Sequence, residues 1–352
     1  MSENCYKVLG LMSGTSLDGL DVAYCIFEKT GTEWSYRIVE AFTYVYPKVW
    51  QERLAQLHEL NAEEMTALDI SYGKWTGKMV NEFLNSYKLE KPDFIGSHGH
   101  TVFHNPKAGY TLQIGNGAAI AAITACKTIS DFRTQNVVLG GQGAPLVPIG
   151  DKALFGDKDA CLNLGGFANI SYQDQGSRIA FDICPANIVL NPLAKTLGMD
   201  YDKNGDLARD GKVIVELLEE LNGLSFYQEM APKSLGIEWV KENVNTILNQ
   251  CQASKNDILC TLCEHIALQI ATCLHGFNNV MVSGGGVWNA FLMERIKANT
   301  ILEIHVPEHK LVDYKESLIF AFLAVLRDRN EVNCLASVTG AKKDHSSGII
   351  HY

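Results

Sequence analysis

Three glycine-rich segments contain the residues whose types and spacing point most directly to chemistry. Residues 13–16 (Ser-Gly-Thr-Ser) separate two apolar runs, and residues 163–166 (Asn-Leu-Gly-Gly) do so again roughly 150 residues later. Residues 284–286 (Gly-Gly-Gly) lie between a strand-like run and a helical pattern. Glycine turns expose backbone N–H groups and let a phosphate approach closely, and a helix N-terminus attracts anions. Each segment alone is also explained by a tight turn, but the three together predict an ATP site.

The elements that must position these segments follow a repeated plan. A strand, a glycine turn and a second strand occur around Gly14 and again near Gly165, and each copy is followed by mixed helical and strand-like patterns. Antiparallel strands joined by a short glycine turn form a β-hairpin. We therefore predict two α/β domains with their glycine turns facing one cleft, at residues 1–158 and 159–329. The tail at 330–352 is predicted to join the first domain or to stand apart from it.

Composition agrees with two packed domains and excludes several classes of protein. The chain has 352 residues, of which 47% are hydrophobic, so a disordered chain is excluded. A net charge of −10 disfavours non-specific nucleic-acid binding. The longest apolar stretch, residues 318–326, is too short to span a membrane, and the first residues lack a signal-peptide pattern. We therefore expect a cytoplasmic protein whose ten cysteines are mostly reduced thiols packed in the core.

Several longer motifs, read in chain order, resemble those of anhydro-N-acetylmuramic acid kinases. The resemblance implies a two-domain fold of the sugar kinase/Hsp70/actin type (ribonuclease H-like), with an interdomain ATP cleft, and it agrees with the repeated hairpins. The motifs that carry it occupy residues 10–23, 96–101, 131–133, 140–148, 163–166, 181–182, 284–286 and 337–340, with single matches at His104, Asp313 and Glu316.

The resemblance implies a reaction on a bridged amino sugar. Water opens 1,6-anhydro-N-acetylmuramic acid at the anomeric carbon, and the freed hydroxyl takes the γ-phosphate of ATP. The products are N-acetylmuramic acid 6-phosphate and ADP, which places the enzyme in peptidoglycan recycling. The implied partners are the amino sugar, ATP and Mg²⁺, and a homodimer is one of the assemblies left open.

Asp182 is the candidate catalytic base. It ends an apolar strand-like run, where a cleft would expose its carboxylate, and the resemblance places the family's base there. A base within hydrogen-bond reach is needed because water is a weak nucleophile. The alternative is an Asp that caps a helix starting near Asn187.

The ATP ligands implied by the glycine segments and the resemblance are backbone N–H groups and hydroxyls. Asp18 is in addition a candidate Mg²⁺ ligand, since phosphoryl transfer needs charge neutralisation. The Asp18-Gly19 pair is equally typical of a simple hairpin turn. The full set is Ser13, Gly14, Thr15, Ser16, Asp18, Asn163, Gly165, Gly166, Gly284, Gly285 and Gly286.

The candidate sugar ligands are His98, Thr101, Arg133 and Glu316. An Arg can bind the lactyl carboxylate of muramic acid through two parallel hydrogen bonds, and a Glu can accept hydrogen bonds from sugar hydroxyl or amide groups. Solvated surface charges are the alternative for both. The spacing His-x-His-x₃-His in residues 98–104 also suits a metal site, although neutral hydrogen-bonding histidines are commoner.

The chain departs from the family pattern at three places. Ile183 and Cys184 follow the candidate base where Thr and Gly are usual, His100 replaces Gln, and residues 115–117 read Gly-Asn-Gly in place of Gly-Asp-Pro. Three alternatives therefore stay open: a related kinase of another sugar, a metal-dependent hydrolase that uses His98, His100 and His104, and an ATP-binding module without catalysis.

Overall fold

The computed structural model describes residues 4–14 and 16–352, which divide into two compact units. The first unit is formed by the described residues of Met1–Leu154 together with Tyr314–Tyr352, and the second unit is Phe155–Asp313. Thr15, one of the predicted ATP ligands, lies outside the described residues.

Two sheets organise the units. Among the described residues the first sheet has seven strands in the order β12-β6-β4-β1-β2-β3, with β5 paired to β4, and the second has five in the order β11-β10-β7-β8-β9. The strands are β1 Cys5–Ser13, β2 Gly19–Thr30, β3 Glu33–Val45, β4 Phe94–Asn105, β5 Tyr110–Ile114, β6 Thr128–Ser130, β7 Ala160–Leu164, β8 Phe167–Asp174, β9 Ser177–Pro185, β10 Asn279–Ser283, β11 Glu303–His305 and β12 Ile349–His351.

Helices complete both units. The α-helices are α1 Lys48–Ala55, α2 Ala62–Ser86, α3 Gly117–Thr124, α4 Thr134–Val138, α5 Val147–Leu154, α6 Asn187–Lys195, α7 Asp206–Arg209, α8 Val215–Asn222, α9 Ile237–Trp239, α10 Asn245–Gln250, α11 Lys255–Cys273, α12 Ala290–Ala298, α13 His309–Asp328 and α14 Ala336–Thr339. Short 3₁₀ helices lie at Leu57–Glu59, Pro106–Ala108, Lys203–Gly205, Ser225–Gln228 and Gly285–Trp288, and a π-helical turn at Val240–Val244 joins α9 to α10.

The predicted mixed α/β fold with two repeated hairpins is confirmed. β1 pairs antiparallel with β2 from Cys5↔Glu28 to Ser13↔Leu20, and β7 pairs antiparallel with β8. Each hairpin then continues into a parallel neighbour, β4 beside β1 and β10 beside β7. Parallel pairing brings the carboxyl ends of neighbouring strands to one edge of each sheet, where the glycine segments begin.

Local sequence signals account for the long helices that cover the sheets. The Asn61 side chain accepts hydrogen bonds from the backbone at the start of α2, and Glu64 reaches back to the Asn61 amide, which is a complete capping box. Ser254 caps α11 by accepting from Asp257 N–H. Each helix then buries an apolar face, α2 through Val80 and Phe83 and α11 through its central turns.

Two glycines in neighbouring strands let α13 pack directly on the first sheet. Gly10 of β1 is paired with Gly96 of β4. A Cβ on Gly10 would lie 1.9 Å from the Ser317 carbonyl oxygen, and one on Gly96 would lie 2.4 Å from the Phe320 carbonyl oxygen. This close approach joins Tyr314–Tyr352 to the first unit, whereas the limits predicted from sequence place residues up to 329 with the second domain.

Within residues 4–14 and 16–352, none of the helices combines the length and apolar character that crossing a membrane requires.

Candidate functional site

Ser13 ends β1 and turns its side chain into the core of the first unit. Its Oγ lies 2.6 Å from the Tyr46 hydroxyl and 2.8 Å from His100 Nδ1, and the residue is buried. The Ser13 hydroxyl is therefore engaged inside the protein and does not face the exposed residues of the turn.

The turn after Ser13 presents polar groups at its exposed tip. Ser16 Oγ donates a hydrogen bond of 2.9 Å to Asp18 Oδ1, and both residues are exposed. Leu17 has a φ of +60°, and its N–H lies 3.5 Å from the Gly14 carbonyl oxygen. A hydroxyl and a carboxylate thus sit side by side next to a glycine turn, an arrangement suited to a hydrated cation and a phosphate.

Arg133, at the N-terminus of α4, is held from two sides. Its Nε and Nη2 lie 3.0 and 2.9 Å from His98 Nε2, and its Nη1 donates to the Gly143 carbonyl oxygen at 2.6 Å. His98 Nδ1 lies 2.8 Å from the carbonyl oxygen of Gly99, to which it can donate. His98 is thus a neutral imidazole that accepts from the guanidinium through Nε2. Burial, and the nearby charge of Arg133, hold the pKa of His98 well below its usual range.

The loop at residues 139–148 supplies the second support of Arg133. Asn136 Oδ1 accepts from Gly143 N–H at 2.8 Å, while Asn136 Nδ2 donates to Thr339 Oγ1 of α14 at 2.9 Å. The Gly143 carbonyl is therefore fixed through a buried amide. Sequence analysis did not single out Asn136.

Glu316 and Thr101, the other predicted sugar ligands of the first unit, have different surroundings. Glu316 lies in α13 and is exposed at the surface. Neighbouring protein atoms displace water from its carboxyl and so raise its pKa, whereas the positive charges of Arg133 and Lys315 lower it. Thr101 lies in β4, and Gln113 Nε2 lies 3.4 Å from its Oγ1. Burial lowers the pKa of the Arg133 guanidinium, and the negative charge of nearby Glu316 partly offsets this by raising it.

The three histidines of residues 98–104 have separate partners. Gly99 has a φ of +77°, so the alternation of an extended strand is interrupted between His98 and His100. His98 meets Arg133, His100 meets Ser13, and His104 Nδ1 lies 3.1 Å from Thr111 Oγ1. Across the part of the chain that is described, no three His, Cys, Asp or Glu side chains converge in a way that could hold a metal. The geometry does not support the metal-dependent alternative.

Asp182 lies in β9 of the second unit and is held by a distant segment. Leu235 N–H donates to Asp182 Oδ2 at 2.8 Å, and the Asp182 N–H donates to the Lys233 carbonyl oxygen at 3.1 Å. The register of β8 and β9 shifts next to Asp182, which pairs with Asn169. Such a bulge re-aims the side chains beside it. Burial raises the pKa of the Asp182 carboxyl, while the Leu235 hydrogen bond lowers it.

Two further observations concern the surroundings of Asp182. Helix α6 has Ala186 at its N-cap without a side-chain cap, so the alternative in which Asp182 caps this helix is wrong. Ile183 and Cys184, the departures from the family pattern, are both buried in the apolar core of the second unit. They therefore change the packing behind the carboxylate.

The two glycine segments of the second unit are brought together by the parallel pair of β7 and β10. A Cβ on Gly284, whose φ is +86°, would lie 2.5 Å from Asn163 Oδ1, and one on Gly286 would lie 2.7 Å from the Leu164 Cβ. The backbone of residues 284 and 286 therefore packs so closely against Asn163 and Leu164 that a side chain would not fit at either glycine. The Gly165 and Gly166 carbonyls accept the first N–H groups around the start of α6. Asn163, Gly165 and residues 284–286 therefore lie at one end of the second sheet.

Trp288 follows this glycine loop and was not singled out from the sequence. Its indole is 41% exposed yet fixed, since Nε1 donates to Asp313 Oδ1 at 3.1 Å and the ring stacks on His309 with centroids 4.3 Å apart. His309 Nδ1 lies 2.8 Å from the other oxygen of Asp313. The sequence signal that could have identified Trp288 is its position two residues after the glycine loop.

These features suit the class of phosphotransferases. Both α/β units have glycine loops at their strand ends, Ser16 and Asp18 expose a hydroxyl and a carboxylate at one turn, and Asp182 supplies a half-buried carboxylate. Residues 6–352 match the family model described as AnmK: Anhydro-N-acetylmuramic acid kinase. The chain belongs to this family.

Full-length relatives agree with this assignment. Proteins named anhydro-N-acetylmuramic acid kinase from Sulfurovum sp. and Francisella tularensis subsp. novicida are each 33% identical to this chain. The alignment covers 99% of both chains for the first and 100% of both chains for the second. A relative of the same name from Mannheimia succiniciproducens is 34% identical over 97% of this chain and 98% of its own length.

Solved structures of remote sequence resemble the chain weakly. The Acidaminococcus fermentans (R)-2-hydroxyglutaryl-CoA dehydratase component A gives a TM-score of 0.45 at 13% identity, covering 90% of this chain and 96% of its own. A ROK family glucokinase from Streptomyces griseus in complex with glucose and AMPPNP gives 0.40 at 11% identity, covering 90% and 98%.

Proposed function

We propose that this chain opens 1,6-anhydro-N-acetylmuramic acid with water and phosphorylates it with ATP, yielding N-acetylmuramic acid 6-phosphate and ADP. Membership of the family supports the kinase activity. The observation that carries the hydrolytic step is the held carboxylate of Asp182, which has a raised pKa. In this proposal the sugar comes from peptidoglycan turnover, and the reaction takes place in the cytoplasm, where ATP is available.

The Asp182 contacts suit a general base. Leu235 N–H fixes Oδ2, so the carboxylate cannot rotate freely, and Oδ1 is the oxygen to which none of the described residues donates a hydrogen bond. In the proposed step Oδ1 takes a proton from water as the water oxygen bonds to the anomeric carbon. The bond from that carbon to the bridging oxygen breaks, and the bridging oxygen attacks the γ-phosphorus. ADP leaves with the electron pair of the broken phosphoanhydride bond.

Arg133 is proposed to bind the lactyl carboxylate of the sugar. Three of its five N–H groups face His98 and the Gly143 carbonyl. The two that remain are one on each terminal nitrogen, and both are available to a carboxylate. His98 supports this role as a neutral acceptor, and Glu316 and Thr101 are proposed to hold other polar groups of the sugar.

The glycine loops are proposed to bind ATP. Backbone N–H groups of Gly14 and of the two loops of the second unit would hold phosphates, and the exposed indole of Trp288 would stack on the adenine base. Asp18 and Ser16 offer the oxygen ligands that Mg²⁺ prefers, so these residues would hold the ion. The bound ion would supply neutralisation of the phosphate charge.

The experiment that tests this function is a reaction in ¹⁸O-water with ATP and the anhydro sugar. Mass spectra taken before the hemiacetal exchanges should show label at the anomeric position, none in the phosphate ester bridge, and one ADP per sugar opened. The reason is that the bridging oxygen is a poor leaving group unless the γ-phosphoryl group accepts its developing charge. Ring opening at full rate without ATP, or phosphorylation of an ordinary hexose without label, would contradict the proposal.

A further inference from the structure

A buried chain of hydroxyl groups ends at the residue from which the first glycine turn begins. The Tyr72 and Tyr46 hydroxyls lie 2.6 Å apart, Tyr46 lies 2.6 Å from Ser13 Oγ, and Ser13 Oγ lies 2.8 Å from His100 Nδ1. We call Ser13, Tyr46, Tyr72 and His100 the Ser13 network. None of its four residues is more than 2% exposed.

Four different elements of the first unit meet at the Ser13 network. Ser13 ends β1 and is paired with Leu20 of β2 on one side and with His100 of β4 on the other. Tyr46 directly follows β3, and Tyr72 lies in α2. In the described part of the turn that follows Ser13, Ser16 and Asp18 are exposed, and the contacts within it are the Ser16–Asp18 hydrogen bond and the long contact from Leu17 N–H to the Gly14 carbonyl. Ser13, at the start of the turn, is the residue that the core holds.

The three hydrogen bonds of the Ser13 network can run in either direction along the chain of groups. Burial lowers the pKa of His100 to about 4, so the imidazole is neutral at pH 7 and Nδ1 can accept or donate. Each of the three hydroxyls has one proton to donate, and either direction along the chain satisfies every contact. Polar groups buried in an apolar core cost free energy unless they are paired, and a fully paired network specifies one geometry. An apolar residue could have filled the same volume next to Leu20 and Ile114.

We propose that Tyr46 and His100 are positioning residues that act through Ser13 to hold the first glycine turn in its phosphate-binding geometry. This inference rests on the proposed function, since it takes ATP as the ligand of the turn. Two groups of the network, the Tyr46 hydroxyl and His100 Nδ1, form hydrogen bonds with the Ser13 hydroxyl, so the backbone of residue 13 cannot rotate without breaking them. The turn is then ready to bind phosphate before the nucleotide arrives, which lowers the conformational entropy lost on binding.

The test compares Tyr46→Phe and Ser13→Ala with the unmodified protein, in calorimetric ATP binding and in steady-state kinetics. Each variant removes a hydroxyl from the Ser13 network and keeps the neighbouring packing. We expect ATP binding to weaken, and KM for ATP to rise, by about 5- to 10-fold, the effect of one lost hydrogen bond. The KM for the sugar should stay unchanged. The double variant should be no weaker than the worse single variant, because both changes break the same network.

His100 offers a rescue experiment, and Tyr24 offers a matched control. His100→Gln keeps a hydrogen-bonding group and should retain ATP affinity within about 2-fold, whereas His100→Leu should lose it as Tyr46→Phe does. Tyr24 is a buried tyrosine of β2 whose strand partner is Leu9, four residues and roughly 13 Å along β1 from Ser13. Tyr24→Phe should leave KM for ATP unchanged, even if it lowers the melting temperature.

The outcomes separate the inference from the function on which it rests. If the unmodified protein binds no ATP, the proposed function fails and the inference fails with it. If the unmodified protein binds ATP and the variants of the Ser13 network bind it equally well, only the inference is overturned. Weakening by Tyr24→Phe to the same extent as by Tyr46→Phe would also overturn it, since loss of stability alone would then explain both.

Discussion

At the scale of single residues, contacts from distant parts of the chain decide which atoms stay available for chemistry. Arg133 keeps one N–H on each terminal nitrogen because His98 and Gly143 take the others. Ser13 has its hydroxyl engaged by Tyr46 and His100 in the core. Asp182 has one oxygen fixed by Leu235. For each of these predicted site residues, the structure decides which of its groups is engaged by the protein.

Replacing Asp182 with Asn should separate activity from stability. The amide keeps the size of the side chain and can still accept from Leu235 N–H, but it cannot take a proton, so turnover should fall by about 10²–10⁴-fold. Binding of ATP, measured by calorimetry, should persist. Near-normal turnover in Asp182→Asn would remove this residue from the mechanism.

The same substitution has a stability consequence whose sign follows from the raised pKa of Asp182. Burial makes ionisation harder in the folded chain, so the stability contributed by this group is present below the unfolded pKa, about 3.9, and is lost as pH rises through the folded value. Asn removes the buried charge at pH 7. We therefore expect Asp182→Asn to be at least as stable as the unmodified protein in urea unfolding at pH 7, and equally stable or weaker at pH 4.

Trp288 allows a direct optical test of the ATP proposal. Stacking of an aromatic side chain on a base contributes about 1–3 kcal/mol, so Trp288→Ala should weaken ATP binding by roughly 5- to 150-fold, and Trp288→Phe by less. ATP should quench the indole fluorescence of the unmodified protein, whereas inorganic tripolyphosphate, which lacks a base, should not. A quenching signal that survives in Trp288→Phe would come from another tryptophan and would count against stacking at this position.

At the scale of elements, the contact between α13 and the first sheet depends on two side chains being absent. The paired glycines of β1 and β4 bring the backbone of α13 within van der Waals distance of the strands, and β1 is the strand that ends at Ser13. The same helix contributes Glu316 and the buried ion pair of Lys315 with Asp151 of α5, at 2.8 Å. Packing of this helix therefore positions both the start of the first turn and a proposed sugar ligand.

Gly10→Ala and Gly96→Ala should both destabilise the first unit. The added methyl groups would lie 1.9 and 2.4 Å from carbonyl oxygens of α13, so the helix must move, and overpacking of this kind costs about 1–3 kcal/mol or more. Urea midpoints should fall accordingly. Gly285→Ala is the control, because a Cβ there has no heavy atom within 4 Å. Unchanged midpoints for both strand variants would mean that α13 does not pack as closely as described.

At the scale of the whole molecule, buried neutral histidines in both units link folding to pH. His98 and His100 lie in the first unit, and His265, between Tyr227 and Asn222, lies in the second. Burial lowers the pKa of all three, to about 4 for His100 and His265. The neutral form is favoured in the folded chain, so their contribution is full above pH 6.5 and is lost as pH falls toward the folded values.

Stability should therefore be lower at pH 5 than at pH 7, by about 2 kcal/mol for each of His100 and His265. Denaturant unfolding at the two pH values measures the difference. His265→Gln should remove the His265 contribution, about 2 kcal/mol, from this pH dependence. Equal stability at pH 5 and pH 7 would contradict the neutral buried state of these histidines.

The sequence by itself determined the family, the two repeated hairpins and the glycine turns, and it predicted roles for Asp182 and Arg133. These features depend on local order: a glycine turn between two apolar runs forms a hairpin wherever it lies, and long motifs keep their spacing along the chain. The domain limits at 158 and 329 remain predictions, and they too were drawn from local patterns. Such patterns show where one element gives way to the next, but they do not show which sheet a helix packs against.

Only the tertiary structure decided the contacts between residues far apart in sequence. The Leu235 amide reaches Asp182 from another segment, α13 joins the first unit across two glycines, and a single positive φ at Gly99 sends His98 and His100 to different partners. The histidine spacing suggested a metal site because spacing alone assumes a regular strand. Packing and backbone conformation are set by the whole fold, so which neighbours fix a side chain, and which of its atoms stay free, could not be read along the chain.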